Sequence, residues 1–202
     1  MSNMKKIVIT GMGAVTPVGI GVEEYWKNIT EGKSGIDTIK TFDPSELAVQ
    51  IAGEVKNFNP SDYLAKDLIR KTDPFMQYAY VAAEEAIKQS GIEIEPERTG
   101  IIMGTAMSGV ATTAFTQDAL SGASHKKVGP RFIPKILGNI AAANIAIDYN
   151  IQGPSFTVSG QSTLSAPTAS ITSALPACMH MQAVLIASPP DEQAVLTVKL
   201  GP

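Results

Sequence analysis

The chain has 202 residues and a single cysteine, and carries 16 Lys and Arg against 19 Asp and Glu. Without a basic excess, nucleic-acid binding by bulk charge is excluded, and one cysteine excludes an intrachain disulfide and fits a reducing compartment. The apolar run Ile7-Val8-Ile9 is too short for a signal-peptide core or a membrane span, so a soluble cytoplasmic protein with no membrane partner is expected.

Lys5 to Thr10 reads as a buried strand, broken at Gly11. Val22 to Glu31 reads as an amphipathic helix, with Glu23 and Glu24 in its first turn and Gly32 as its stop. Gln50 to Val55 is a short strand candidate. A helix from Asp73 carries the clearest signals: Asp73 as cap, Pro74 at the first helical position, Gly91 at the end. Its predicted buried face is Met76, Ala79, Tyr80, Ala83 and Ile87, at helical spacing. Gly100 to Thr105 is a buried strand, and Ile136 to Tyr149 an Ala- and Ile-rich helix covered on most sides. Thr157 to Ser159 reads as a strand end and Ala183 to Ala187 as a last strand. Strands alternating with helices predict a layered α/β fold. Charge is uneven: after Asn150 only Asp191, Glu192 and Lys199 are charged. Such a tail reads as a buried core, an interface, or a segment that is not a natural folded continuation.

Several motifs invite chemistry and fail on spacing. Gly11-Met12-Gly13 follows a strand, but the third glycine of a dinucleotide loop would fall at Thr16, so a structural turn is the reading kept. Cys178, His180 and His125 lack the further ligands of a metal site. Cys178 also lacks the strand-to-helix elbow of a nucleophile. No metal and no cofactor is therefore expected. Gly153 to Ser162 is more informative. A strand ends in small residues and a helix would begin near Ser162, where free backbone N–H groups could lower a nucleophile's pKa or hold an oxyanion. Ser159 or Ser162 acting simply as a helix cap remains the alternative.

From Lys5 to about Ser159 the chain resembles the N-terminal half of the β-ketoacyl-acyl-carrier-protein synthases, condensing enzymes of the thiolase-like fold. The resemblance rests on Val8-Ile9-Thr10-Gly11-Met12-Gly13 with Thr16-Pro17-Val18-Gly19, Gly32-Lys33-Ser34-Gly35-Ile36, and Phe42-Asp43. It continues through Ile51-Ala52-Gly53-Glu54-Val55, Asp62-Tyr63-Leu64, and Asp73 with Gln77-Tyr78-Ala79. Gly104-Thr105-Ala106-Met107-Ser108-Gly109, Phe132-Ile133-Pro134, Asn139-Ile140-Ala141-Ala142 and Gly153-Pro154 complete it.

This resemblance implies an α/β, thiolase-like, layered α-β-α half with a mixed, largely parallel sheet. It implies one domain over 1–202, family-like over 5–159 and divergent over 160–202. The implied chemistry is decarboxylative condensation of acyl and malonyl thioesters in fatty acid or polyketide synthesis, with acyl carrier protein as partner. In the family a cysteine at the elbow carries the acyl chain, and two histidines and an oxyanion hole assist. Here Ser162 occupies the cysteine position counting without gaps from Gly153, and Gln161 occupies it if one residue is deleted. In the second case Gln161-Ser162-Thr163 resembles the Gln-Ser-Ser of decarboxylase-type synthases. A serine without an adjacent base is a weak nucleophile, so condensation is expected to be impaired. Pro167 would break the helix that follows. Neither His125 nor His180 lies in a context matching the family's catalytic histidines. Met107 matches a residue near the acyl pocket and Phe132 the aromatic that approaches the acyl tunnel across the dimer interface. One half alone would expose a large apolar face, so a homodimer, or a heterodimer with a synthase subunit, is expected. The alternatives are a non-catalytic or decarboxylase-type partner of an active synthase, or a truncated gene product.

Overall fold

The computed structural model describes residues 9–105, 107–122, 125–159 and, for the backbone, 182–187. The chain enters through a two-residue hairpin, β1 (Val15–Thr16) and β2 (Gly19–Ile20), closed by Thr16 Oγ1, which donates to Gly19 O at 2.9 Å. Helix α1 (Val22–Thr30) follows and ends at Glu31, with Gly32 at φ +71°. The sequence places both ends correctly, yet none of its residues is fully buried, so its apolar side packs only in part. A second small hairpin joins β3 (Asp37–Thr38) to β4 (Ile51–Ala52), the latter far shorter than the predicted Gln50–Val55 strand. Of the predicted strand at the N-terminus, residues 5–8 lie outside the described residues, and Ile9 and Thr10 are not in a strand.

Helix α2 (Lys66–Lys71) leads into α3 (Pro74–Ser90), the spine of the molecule. Asp73 caps α3, its carboxylate accepting from Phe75 N at 3.3 Å, and Gly91 ends it in the left-handed conformation at φ +61°. The predicted stripe is too narrow: Ala82 and Ala86 are also fully buried, while Ile87 is half-buried. The reason lies in the entering strap. A Cβ at Gly11 would stand 2.0 Å from Ala86 O, and one at Gly13 1.8 Å from Ala82 O. The Gly-x-Gly pair therefore exists to let one backbone lie directly on another. Glu85 fastens this strap, accepting from Ala14 N at 2.9 Å and Val22 N at 2.8 Å.

Strand β5 (Gly100–Thr105) is central. It pairs in parallel with β6 (Ser155–Ser159), register Thr105 to Ser159, and antiparallel with β7 (Gln182–Ala187). The described sheet is thus mixed. Between β5 and β6 run α4 (Val110–Ser121), α5 (Phe132–Ile136) and α6 (Asn139–Asp148). The helix predicted over 136–149 is α6, but it starts three residues later, after Gly138: Ile136 ends α5 and Leu137 turns extended at ψ 123°. Helices α3 and α6 pack on each other and against the sheet. Met76, Ala79 and Ala83 of α3, Ile101 and Met103 of β5, and Ala141, Ala142 and Ile145 of α6 form the core.

Candidate functional site

Because β5 and β6 are parallel and Thr105 faces Ser159, the 105–109 loop begins at the sheet end where β6 finishes. Ligand sites of open α/β sheets gather at such strand ends. Gln161 and Ser162, two and three residues beyond Ser159, lie outside the described residues, as do Cys178 and His180. His125 is exposed on a single 3-10 turn.

The loop between β5 and α4 is held at several points. Thr105 Oγ1 donates to Met107 O at 3.3 Å, and Ser108 Oγ donates to Ile136 O at 2.8 Å. Gly109 sits at φ +64°, and a Cβ there would stand 2.4 Å from Ile136 Cα, so only glycine fits. Gly138 lies beside Thr105, Ser108 and Thr157. Thr157 Oγ1 is buried without a hydrogen-bond partner among the described residues.

Beside this loop α4, α5 and the α2–α3 junction line an open cavity of about 630 Å³ on the surface. Ala111, Phe115, Val128 and Phe132 give it apolar walls, and Arg70, Arg131 and Lys135 bring three cations to it. Arg70 Nη2 is paired with Asp67 at 2.7 Å, whereas among the described residues Arg131 and Lys135 make no ion pair. The carboxyl of Asp67 is held below its ordinary value, first by its hydrogen bond to Lys71 and then by Arg70. Burial, reinforced by the charges of Asp73 and Glu54, pushes the Tyr78 phenol up.

Of the sequence-predicted residues, Phe132 opens α5 and lines the cavity. Met107 does not; it is 63% exposed on the loop. The structure thus does not bring these two to one wall. The cations were not foreseen. They come from α2, α5 and the residue before α5, and no local pattern links them. Among the described residues no cluster of three or more His, Cys, Asp and Glu could hold a metal ion, and no helix is long and apolar enough to cross a membrane.

Comparison with known proteins bears on the fold and the family. Residues 4–179 match the family described as "Beta-ketoacyl synthase, N-terminal domain". The 3-oxoacyl-[acyl-carrier-protein] synthase 2 of Staphylococcus aureus is 38% identical over 157 residues, covering 76% of this chain and 38% of the relative. The protein of the same name from Coxiella burnetii is 37% identical over an equal length. Among solved structures, the ishigamide ketosynthase/chain length factor superposes with a TM-score of 0.65 at 26% identity, covering 75% of this chain and 39% of that one. A type II polyketide ketosynthase solved in complex with its acyl-carrier protein superposes with a TM-score of 0.61 at 26% identity, covering 76% and 42%. The chain spans about two fifths of the length of the relatives it matches. Its fold is the α/β, thiolase-like fold of these ketosynthases, and the chain belongs to the β-ketoacyl synthase family, whose N-terminal domain it matches.

Proposed function

We propose that the chain works in fatty acid or polyketide synthesis as a β-ketoacyl-acyl-carrier-protein synthase homologue, taking acyl and malonyl thioesters from an acyl carrier protein in the cytoplasm. We take residues 1–202 as one domain and its working form as a dimer, with itself or with a synthase subunit. The observation that carries this reading is the cavity beside Phe132, whose apolar walls suit an acyl chain and whose Arg70, Arg131 and Lys135 suit an anionic partner. The carrier protein's phosphopantetheine arm supplies such an anion in its phosphodiester, and charge-assisted hydrogen bonds to it are the strong kind. Met107, exposed beside the cavity's loop, contributes to the acyl path once a partner covers it.

Without a cysteine at Gln161 or Ser162, the acyl-enzyme would have to form as an oxygen ester on Ser162. The Ser162 hydroxyl would attack the thioester carbonyl, lose its proton to a base, and release the carrier's thiol. This route is slow, since a hydroxyl without a base is a poor nucleophile. The same residues favour a second reading, a decarboxylase-type or non-catalytic partner of an active synthase. In it Gln161 donates hydrogen bonds to the malonyl thioester, and the carbanion left by CO2 loss is protonated.

Incubation with malonyl and acyl carrier proteins, followed by mass spectrometry, tests both. An acyl adduct lost in Ser162→Ala supports the first reading. Acetyl carrier protein and CO2 without an adduct, lost in Gln161→Ala, support the second. Neither product, together with no association with a synthase subunit, overturns both.

A further inference from the structure

Helix α4 cannot cap itself. Its cap position is Gly109, which has no side chain and which the close approach of Ile136 forces to remain glycine. The first-turn N–H groups of such a helix need an outside acceptor. The structure supplies one from another element. Asp73, 3% exposed, caps α3 with Oδ1 and with Oδ2 accepts from Thr112 N at 2.9 Å. One buried carboxylate therefore sits at the starts of two helices, where both dipoles favour its charge. Its neighbours Thr72 and Pro74 line the cavity on one side, and Ala111, Thr112, Phe115 and Thr116 of α4 line it on the other. Ser108 and Gly109 hold the start of α4 to the end of α5, and Asp73 holds it to α3.

We propose that Asp73 is a positioning residue for the ligand of this cavity: it lends α4 the cap that Gly109 lacks, and so fixes the width between the α3 and α4 walls. The role rests on the acyl reading given above. Chemistry sets its two duties against each other in one variant. Asp73→Asn leaves one acceptor oxygen for two N–H donors, Phe75 N and Thr112 N, so it serves one helix start and gives up the other. Asp73→Ala gives up both.

The test is residue-resolved amide hydrogen exchange on the full chain, with binding of a fluorescent fatty acid, cis-parinaric acid. In the unsubstituted protein Thr112 N–H should be protected although it lies in a first turn. In Asp73→Asn, exchange should rise about tenfold at one helix start, 74–77 or 110–116, and in Asp73→Ala at both, while 78–90 stays within about twofold in each. In each variant in which 110–116 loosens, the fatty acid should bind at least about fivefold more weakly. An unprotected Thr112 N–H in the unsubstituted protein overturns the proposal without recourse to any variant. So does unchanged binding in either variant after α4 has loosened. Absence of saturable binding to the unsubstituted protein overturns instead the acyl reading, while the exchange data still decide whether the clamp exists.

Discussion

Gly13 shows how a single atom can decide a fold. Adding one methyl there puts a Cβ 1.8 Å from the backbone carbonyl oxygen of Ala82, and neither atom can rotate away. Gly13→Ala should cost at least the ~1–3 kcal/mol typical of overpacking, read as a lower thermal midpoint. An unchanged midpoint would contradict the close approach. Met76, 1% exposed at the centre of the core, should lose about 2–5 kcal/mol on change to alanine. Asp73, Pro74 and Gly91 were legible because each acts on its own backbone within a few residues. The second duty of Asp73 was not legible, because Thr112 N is 39 positions away and nothing local to Asp73 encodes it. The Gly-x-Gly pair shows the same limit. Its spacing pointed to a structural turn, but only the helix lying beneath it explains why glycine is needed.

Among the elements, those with strong local periodicity, α3 and β5, emerge close to their predicted bounds. Residues 37–56, where β3 and β4 are only two residues each, are held largely by side chains. Glu54 accepts from Lys40 N at 2.8 Å, from Thr41 N at 3.1 Å and from the Thr41 hydroxyl, and Asp37 accepts from Thr38 N and pairs with Lys56 at 3.2 Å. Both carboxyls lie below their ordinary values of 3.8 and 4.5, Asp37 first through the Thr38 N–H and Glu54 first through the Thr41 hydroxyl. A lowered folded value means stabilisation that is present above the ordinary value and is lost as pH falls through the folded one. The 37–56 segment should therefore loosen below its ordinary carboxylate range, well before α3, which is held by apolar packing. Limited proteolysis across that range should cut within 37–56 first, and Glu54→Gln should show the cutting already at neutral pH. Cutting that begins in α3 would contradict this order. No sequence pattern announces this network, since Glu54 and Thr41 stand 13 residues apart.

For the whole molecule, the described surface leaves Phe115, Leu120, Ile133, Leu137, Ile147 and Phe156 exposed. Apolar area of this kind marks interaction surfaces, and β6 pairs only with β5 among the described residues. The chain should therefore run as a dimer or larger species in light scattering at micromolar concentration, whereas a monomer at every concentration would contradict the homodimer and leave pairing with a synthase subunit as the working form. The family and α/β class were legible from ordered motifs spread along the chain. The cavity was legible only through Phe132, because its cations converge from separate elements. The most direct measurement is titration of acyl carrier protein into the full chain, alone and with Arg70, Arg131 and Lys135 all changed to alanine. The account predicts saturable binding that weakens with salt and falls by at least about tenfold in the variant, since three charge-assisted contacts are lost. Binding that is absent, or that is unchanged by the three substitutions, would contradict it.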